Sequence, residues 1–144
     1  MHGVLMMNSN TAVSRILTTV EKGKLVEESA KDYFLRIPGS RLLAQNYRTK
    51  LGEIDLVFEV SVKVGGGVGG ETIELVFVEV RGRSKNSWQT GLESVNFVKL
   101  RRLRNTIALY LSKFKGHRHP RSIRLDVMSW DGEAWNHVKN IWDV

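Results

Sequence analysis

Asp55, Glu79 and Arg81 are side chains whose types and spacing could do chemistry. Asp55 sits in Gly52-Glu53-Ile54-Asp55-Leu56-Val57-Phe58-Glu59-Val60; the other two sit in Glu74-Leu75-Val76-Phe77-Val78-Glu79-Val80-Arg81-Gly82-Arg83. Both runs are rich in β-branched and aromatic residues, and Gly65-Gly66-Gly67-Val68-Gly69-Gly70 separates them, which predicts a β-hairpin. The second run is apolar at nearly every position from 75 to 80, as in a strand buried on both faces. An acid in such a strand is costly unless something pairs with it or binds to it. If the arms fold symmetrically about Gly67, residues whose numbers sum to 134 oppose each other. Asp55 then faces Glu79, Glu53 faces Arg81, and opposed side chains share a face with Cβ atoms about 5 Å apart. Two carboxylates so close in a poorly solvated place must share a proton or a cation. Hard divalent ions, Mg²⁺ or Mn²⁺, suit such oxygens. Glu79 and Arg81, two apart on a strand, project together. The expected site is Asp55, Glu79 and Arg81 on one surface with Glu53 at its edge, and a one-residue slip would send Asp55 to the other face. The competing reading is structural: a Glu53–Arg81 cross-strand salt bridge, with Asp55 a surface acid near the turn.

Other elements must position this hairpin. Residues 1–10 read as a disordered leader, and residues 11–144 as a single domain. Thr11 is a candidate N-cap, followed by Val13, Ile16, Leu17 and Val20 at helical spacing. After Gly23 the stripe continues through Val26, Ala30 and Tyr33, with Phe34 beside it, so one broken helix or two end near Leu35, where Pro38-Gly39 stops them. Residues 41–48 read as a first strand. A polar loop containing Trp88 follows the hairpin. Residues 93–114 form the clearest helix, with Phe97, Leu100, Leu103, Ile107, Tyr110 or Leu111, and Phe114 as a core stripe. Residues 123–128 alternate like a strand, and residues 135–142 read as an edge strand or tail.

Hydrophobic content of 42% and charged content of 26% over 144 residues suit one globular domain. No apolar run approaches the roughly 20 residues that cross a bilayer as a helix, and the N-terminus lacks the pattern of a secretory signal. A soluble, cytoplasmic protein with no membrane partner is the expectation. The chain has no cysteine, which excludes disulfides, thiolate zinc sites and thiol catalysis. Net charge is +7, and residues 99–124 hold nine basic residues and no acid. A one-sided basic segment on a near-neutral body suggests an anion-binding face, although such a run on a helix is often only a solvated one. The His117-x-His119 pair lacks a third soft ligand nearby. The glycine tract has no Lys-Ser/Thr and no following helix, so it is a hairpin tip and not a phosphate cradle.

The order helix, strand, hairpin with Asp…Glu-x-Arg, basic helix, strand resembles the core of the PD-(D/E)xK nuclease superfamily. Within it, Gly52-Glu53-Ile54-Asp55-Leu56, Phe77-Val78-Glu79-Val80-Arg81, Gly91…Val95-x-x-x-Lys99-x-x-Arg102-Leu103 and Arg124-Leu125-Asp126-Val127 resemble the YraN family of bacterial proteins, and Asn46-Tyr47-Arg48 also fits. The resemblance covers about residues 23–130. It implies an α/β, restriction-endonuclease-like mixed sheet flanked by helices, with an αβββαβ core. It implies that Asp55 and Glu79 are the metal-binding acids, that Glu27 on the first helix faces the same cleft as a third, and that Lys99 is the basic residue of the second helix. Arg81 stands where the superfamily pattern has lysine. Val26 replaces a glycine before the helix glutamate, Ser40 replaces an aromatic residue, and the hairpin tip from 61 to 71 is long.

In that frame Asp55 and Glu79 would hold Mg²⁺ or Mn²⁺, with Glu27 joining directly or through water, to hydrolyse phosphodiester bonds. A neighbouring cation would position the phosphate. Arg81 can do that but stays protonated, so the attacking water must lose its proton to Glu27 or to solvent. Lys99, Arg101, Arg102 and Arg104 are candidate nucleic-acid contacts; Lys99 and Arg102, three apart, share a face expected beside the acids. The expected function is a metal-dependent endonuclease acting on DNA rather than RNA, with branched or structured DNA among the open substrates. The alternatives are a nucleic-acid-binding protein of the same fold without turnover, and a protein-interaction domain with salt-bridged acids. Whether the chain forms a homodimer is left open.

Overall fold

The hairpin forms the second and third strands of a five-stranded sheet of order β1-β2-β3-β4-β5. The structure is a computed structural model describing residues 17–65, 69–82, 95–116 and 119–143. Its elements are α1 (Thr19–Leu35), β1 (Ser40–Thr49), β2 (Gly52–Lys63), β3 (Glu71–Gly82), α2 (Phe97–Lys113), β4 (Pro120–Trp130) and β5 (Trp135–Val138), then a 3-10 turn, Ile141–Asp143. Neighbouring strands are antiparallel except β3 and β4. A parallel pair needs a long crossover, which here carries α2. The result is the expected mixed sheet with flanking helices, extended by the short edge strand β5, and it is consistent with a restriction-endonuclease-like fold. The expected leader, the Thr11 cap, the Trp88 loop and His117 lie outside the described residues.

The β2–β3 register agrees with the symmetric hairpin. Each pair from Leu56–Val78 to Lys63–Glu71 sums to 134. Leu75, Val76, Phe77 and Val78 are fully buried, because β3 has a strand on each side and packed residues on both faces. One core cluster joins Leu75, Phe77, Leu125 and Val127 to Leu103 and Ile107 of α2. The other joins Leu56, Phe58, Val76, Val78 and Met128 to Ala30 and Phe34 of α1. Phe34 stacks on Phe58 with ring centroids 4.8 Å apart, a pairing worth about 0.5–1.5 kcal/mol beyond its buried area.

Both helices differ from their sequence reading in detail. α1 is one continuous helix through Gly23, capped by Thr18. The Thr18 hydroxyl accepts the Glu21 N–H at 3.2 Å while the Glu21 carboxylate accepts the Thr18 N–H at 2.9 Å, a reciprocal box that stabilises the start. Leu17, Val20 and Tyr33 are exposed, so the buried stripe is Ala30 and Phe34. α2 begins after the Asn96 cap, not at residue 93. Val95 and Leu100 flank the cap and pack against the core ahead of Leu103, the placement of a hydrophobic staple. Phe97, which periodicity assigned to the core stripe, is 76% exposed and does not belong to the core.

Gly52 explains how α2 comes so close to the hairpin. A Cβ there would lie 2.9 Å from Thr106 Oγ1 and 3.5 Å from Arg102 Cβ. Only a residue without a side chain lets the basic face of α2 press against the start of β2, three residues before Asp55.

Candidate active site

Asp55 sits where β2 changes face. Ile54 joins the α2-side cluster and Leu56 the α1-side cluster, so strict alternation breaks between them. The Asp55 carboxylate turns toward β3, and its Oδ2 accepts the Val80 N–H at 2.7 Å, just beyond the Leu56–Val78 pair. On the other side β1 breaks too: Asn46 has φ 51 and lies between the pairs Gln45–Leu56 and Tyr47–Ile54. Asparagine tolerates this left-handed conformation better than most residues. With the amide assigned so that Nδ2 donates, Asn46 reaches Glu53 Oε1 at 3.1 Å and Glu27 Oε2 at 3.3 Å. It thereby ties Glu27 of the helix to Glu53 of the hairpin.

Glu79 is 3% exposed. Two cations meet it on one oxygen, Oε1: Lys99 Nζ at 2.6 Å and Arg81 Nε at 3.2 Å. The Arg81 contact is an ion pair without hydrogen-bond geometry. Arg81 thus pairs along its own strand, and the Glu53–Arg81 bridge of the competing structural reading is absent among the described residues. Glu53 pairs instead with Arg48, Nε to Oε2 at 3.1 Å, directly across from it on β1.

Asp55 is half-buried and, among the described residues, no cation sits on it. Desolvation, then the Glu79 charge, push its carboxyl up to about 8, against the pull of the Val80 N–H. Glu27 is raised as well, first by partial burial and then by Glu53 and Glu79, while its bond to Asn46 opposes the shift. Both shifts come first from burial, and the neighbouring carboxylates add to it.

Beside the acids opens a cleft of about 540 Å³, lined by Glu53, Arg81, Lys99 and Arg102 together with Gly52, Asn96, Val98 and Leu103. The four basic residues expected to contact nucleic acid therefore divide. Lys99 and Arg102 face the cleft. Arg101 lines a smaller neighbouring pocket. Arg104 lies over the Trp142 ring at 5.2 Å and does not line the cleft.

Among the described residues no three Asp, Glu, His or Cys side chains gather closely enough to form a ready-made metal cage. That is compatible with Mg²⁺, which keeps several waters and takes one or two carboxylates plus substrate phosphate. Asp55 and Glu79 supply oxygens of the right hardness, and the Glu79 charge is the second cause, after burial, of the upward shift at Asp55. The donor set fits a hydrated hard divalent ion by type and charge.

Known proteins place the chain. The model of the uncharacterised protein family UPF0102 matches residues 26–129. The chain belongs to the UPF0102, or YraN, family. A UPF0102 protein of Legionella pneumophila is 37% identical over 131 residues, covering 88% of this chain and 98% of the relative. UPF0102 relatives from Vibrio campbellii (39% identity, 74% of this chain and 78% of the relative) and Persephonella marina (32%, 85% and 94%) are similar as well. The UPF0102 match spans Glu27, Asn46, Asp55, Glu79, Arg81, Lys99 and Arg102, so the cluster falls inside the shared region.

Sequence reasoning treated Asn46 only as part of a matching tripeptide; its bridging role depends on a positive φ that leaves no periodic signal. It also gave Asp126 no role. Asp126 is fully buried, with His137 Nε2 at 2.7 Å from Oδ2 and with Arg124 Nε (2.8 Å) and the Asn140 N–H (3.0 Å) on Oδ1. Burial raises its pKa, but the bonds from His137, Asn140 and Arg124 outweigh that and lower it. This network ties β5 and the final turn to β4 and stands apart from the cleft lining.

Proposed function

We propose that the cleft hydrolyses phosphodiester bonds of DNA, with a divalent cation on Asp55 and Glu79. The observation that carries this reading is the pairing of a 3% exposed Glu79 and a half-buried Asp55 at the end of the sheet, beside a cleft walled by Arg81, Lys99 and Arg102. A purely structural ion pair would not need two acids, a third at Glu27, and an open cleft at the same point. When bound, Mg²⁺ or Mn²⁺ supplies charge neutralisation at phosphorus and lowers the pKa of water. The protein's own residues do the rest. Lys99 and Arg102 draw the phosphate into the cleft, and Arg81 holds it beside Glu79 and stabilises developing negative charge. Glu27, tethered by Asn46, or solvent takes the proton of the attacking water, since Arg81 stays protonated.

A second reading, DNA binding without turnover, draws on Arg81 in the place of lysine and on Lys99 already seated against Glu79. The test is cleavage of single-stranded, duplex and branched DNA in Mn²⁺ by the wild type and by Asp55→Asn. Hydrolysis is expected from the wild type and loss of at least about a hundredfold from the variant, with DNA binding kept. DNA binding without any metal-dependent cleavage on all three substrates would favour the second reading instead.

A further inference from the structure

We propose that Phe97 and Arg101 form a stacking site for one unpaired nucleobase, next to the phosphodiester cleft. The proposal rests on the reading of that cleft given above and names the kind of strand it takes. Phe97 is 76% exposed and Val98 58% exposed, in the first turn of α2. A second pocket of about 210 Å³ is lined, among the described residues, by Phe97, Val98, Arg101 and Arg102. Val98 and Arg102 also line the main cleft, so the two spaces adjoin through shared walls. Arg101 follows Phe97 by four residues, hence one helical turn on the same face.

Single exposed apolar side chains need no explanation. Here, however, an aromatic ring, an aliphatic neighbour and two guanidinium groups share one concavity that, among the described residues, is lined by no carboxylate. A neutral apolar partner would leave those two charges unused. A nucleotide uses every part: its base lies on the Phe97 ring, the Arg101 guanidinium packs against the base or its phosphate, and Arg102 holds the phosphate that leads into the cleft. A base offers a free face only when it is unpaired or unstacked. The strand entering the cleft is therefore single, at least by one nucleotide beside the cleaved phosphate.

The test is binding of a fluorescein-labelled single-stranded oligonucleotide, and of the same strand annealed to its complement, by anisotropy in EDTA so that no cleavage intervenes. Phe97→Ala is expected to weaken single-strand binding about tenfold, the usual size of one lost base–aromatic stack, and duplex binding less than about twofold. Phe97→Trp should restore single-strand affinity and Phe97→Leu should not, which separates stacking from mere apolar contact. Single-strand affinity within about twofold of wild type in Phe97→Ala, or full affinity in Phe97→Leu, overturns the stacking site and leaves the cleft's function standing. Failure of the wild type to bind either form overturns both.

Discussion

Replacing Asp55 by Asn should stabilise the metal-free protein, and the gain should grow with pH. Asparagine keeps an oxygen to accept the Val80 N–H, which Asp55 takes at 2.7 Å, and removes the charge that Glu79 and Glu27 repel. The folded carboxyl has its pKa pushed from 3.8 to about 8. An acid shifted upward stabilises the fold fully below its unfolded pKa and loses that contribution as pH rises through the folded one. Between the two values the native state holds a proton that the unfolded chain has released, so stability falls by about 1.4 kcal/mol per pH unit. From about pH 5 to about pH 7 the loss is at most ~3 kcal/mol, and solvent reaching a half-buried carboxyl trims it. Glu27, raised as well, lies in the same cluster, which spreads the transition. For a chain of this size the effect is a fall in Tm of roughly 5–10 °C in the wild type. The assay is thermal melting in EDTA across that pH window. Wild type and Asp55→Asn should coincide near pH 4 and diverge upward, the variant being the more stable. A flat wild-type profile together with a destabilised variant would refute the reasoning and make Asp55 an ordinary paired acid.

Replacing Lys99 and Arg102 together by alanine should weaken DNA binding and flatten its dependence on salt, each lost phosphate contact lowering the log–log slope by about 0.9; an anisotropy titration across salt concentrations reads it. Arg104→Ala, whose side chain lies over Trp142, should leave that slope unchanged in the same titration. Asp126→Ala removes the acceptor shared by His137, Arg124 and the Asn140 N–H, and should cost about 3–5 kcal/mol in urea unfolding, as expected when one partner of a buried charged network is deleted. Because Asp126 is shifted downward, its contribution is present above the ordinary carboxylate range and is lost as pH falls below it, so the variant should lack part of the wild type's acid-side loss of stability.

How much could be read beforehand follows from which interactions are local. The hairpin register was legible because the alternation on either side of the glycine tract is strong enough to fix it, and burial of Glu79 followed from the unbroken apolar run around it. The partner of Arg81 was not legible. Treating the hairpin alone put Glu53 opposite Arg81, but β2 has two neighbours, and Arg48 on β1 claims Glu53 first. The sideways turn of Asp55 and the left-handed Asn46 were hidden for a related reason. A break in two adjacent strands moves no hydrophobic residue out of the core; it only changes which core each one joins. Phe97 fitted the helical stripe by spacing, yet Val95, outside the helix, packs on the core ahead of Leu100. Asp126 met the same test that singled out Glu79, an acid in an apolar strand, but its partners His137 and Asn140 come 11 and 14 residues later and carry no motif.

The most direct test of a divalent cation on Asp55 and Glu79 is thermal melting with and without millimolar Mn²⁺, on the wild type, Asp55→Asn and Glu79→Gln. A ligand at a hundredfold excess over its Kd stabilises the fold by about 2.7 kcal/mol, which at this chain length is a rise in Tm of several degrees. That rise is predicted for the wild type and should shrink to near zero in Asp55→Asn, and in Glu79→Gln provided its metal-free melt is cooperative. A wild type that melts at the same temperature with Mn²⁺ as with EDTA, or an Asp55→Asn variant that keeps the full rise, would contradict it.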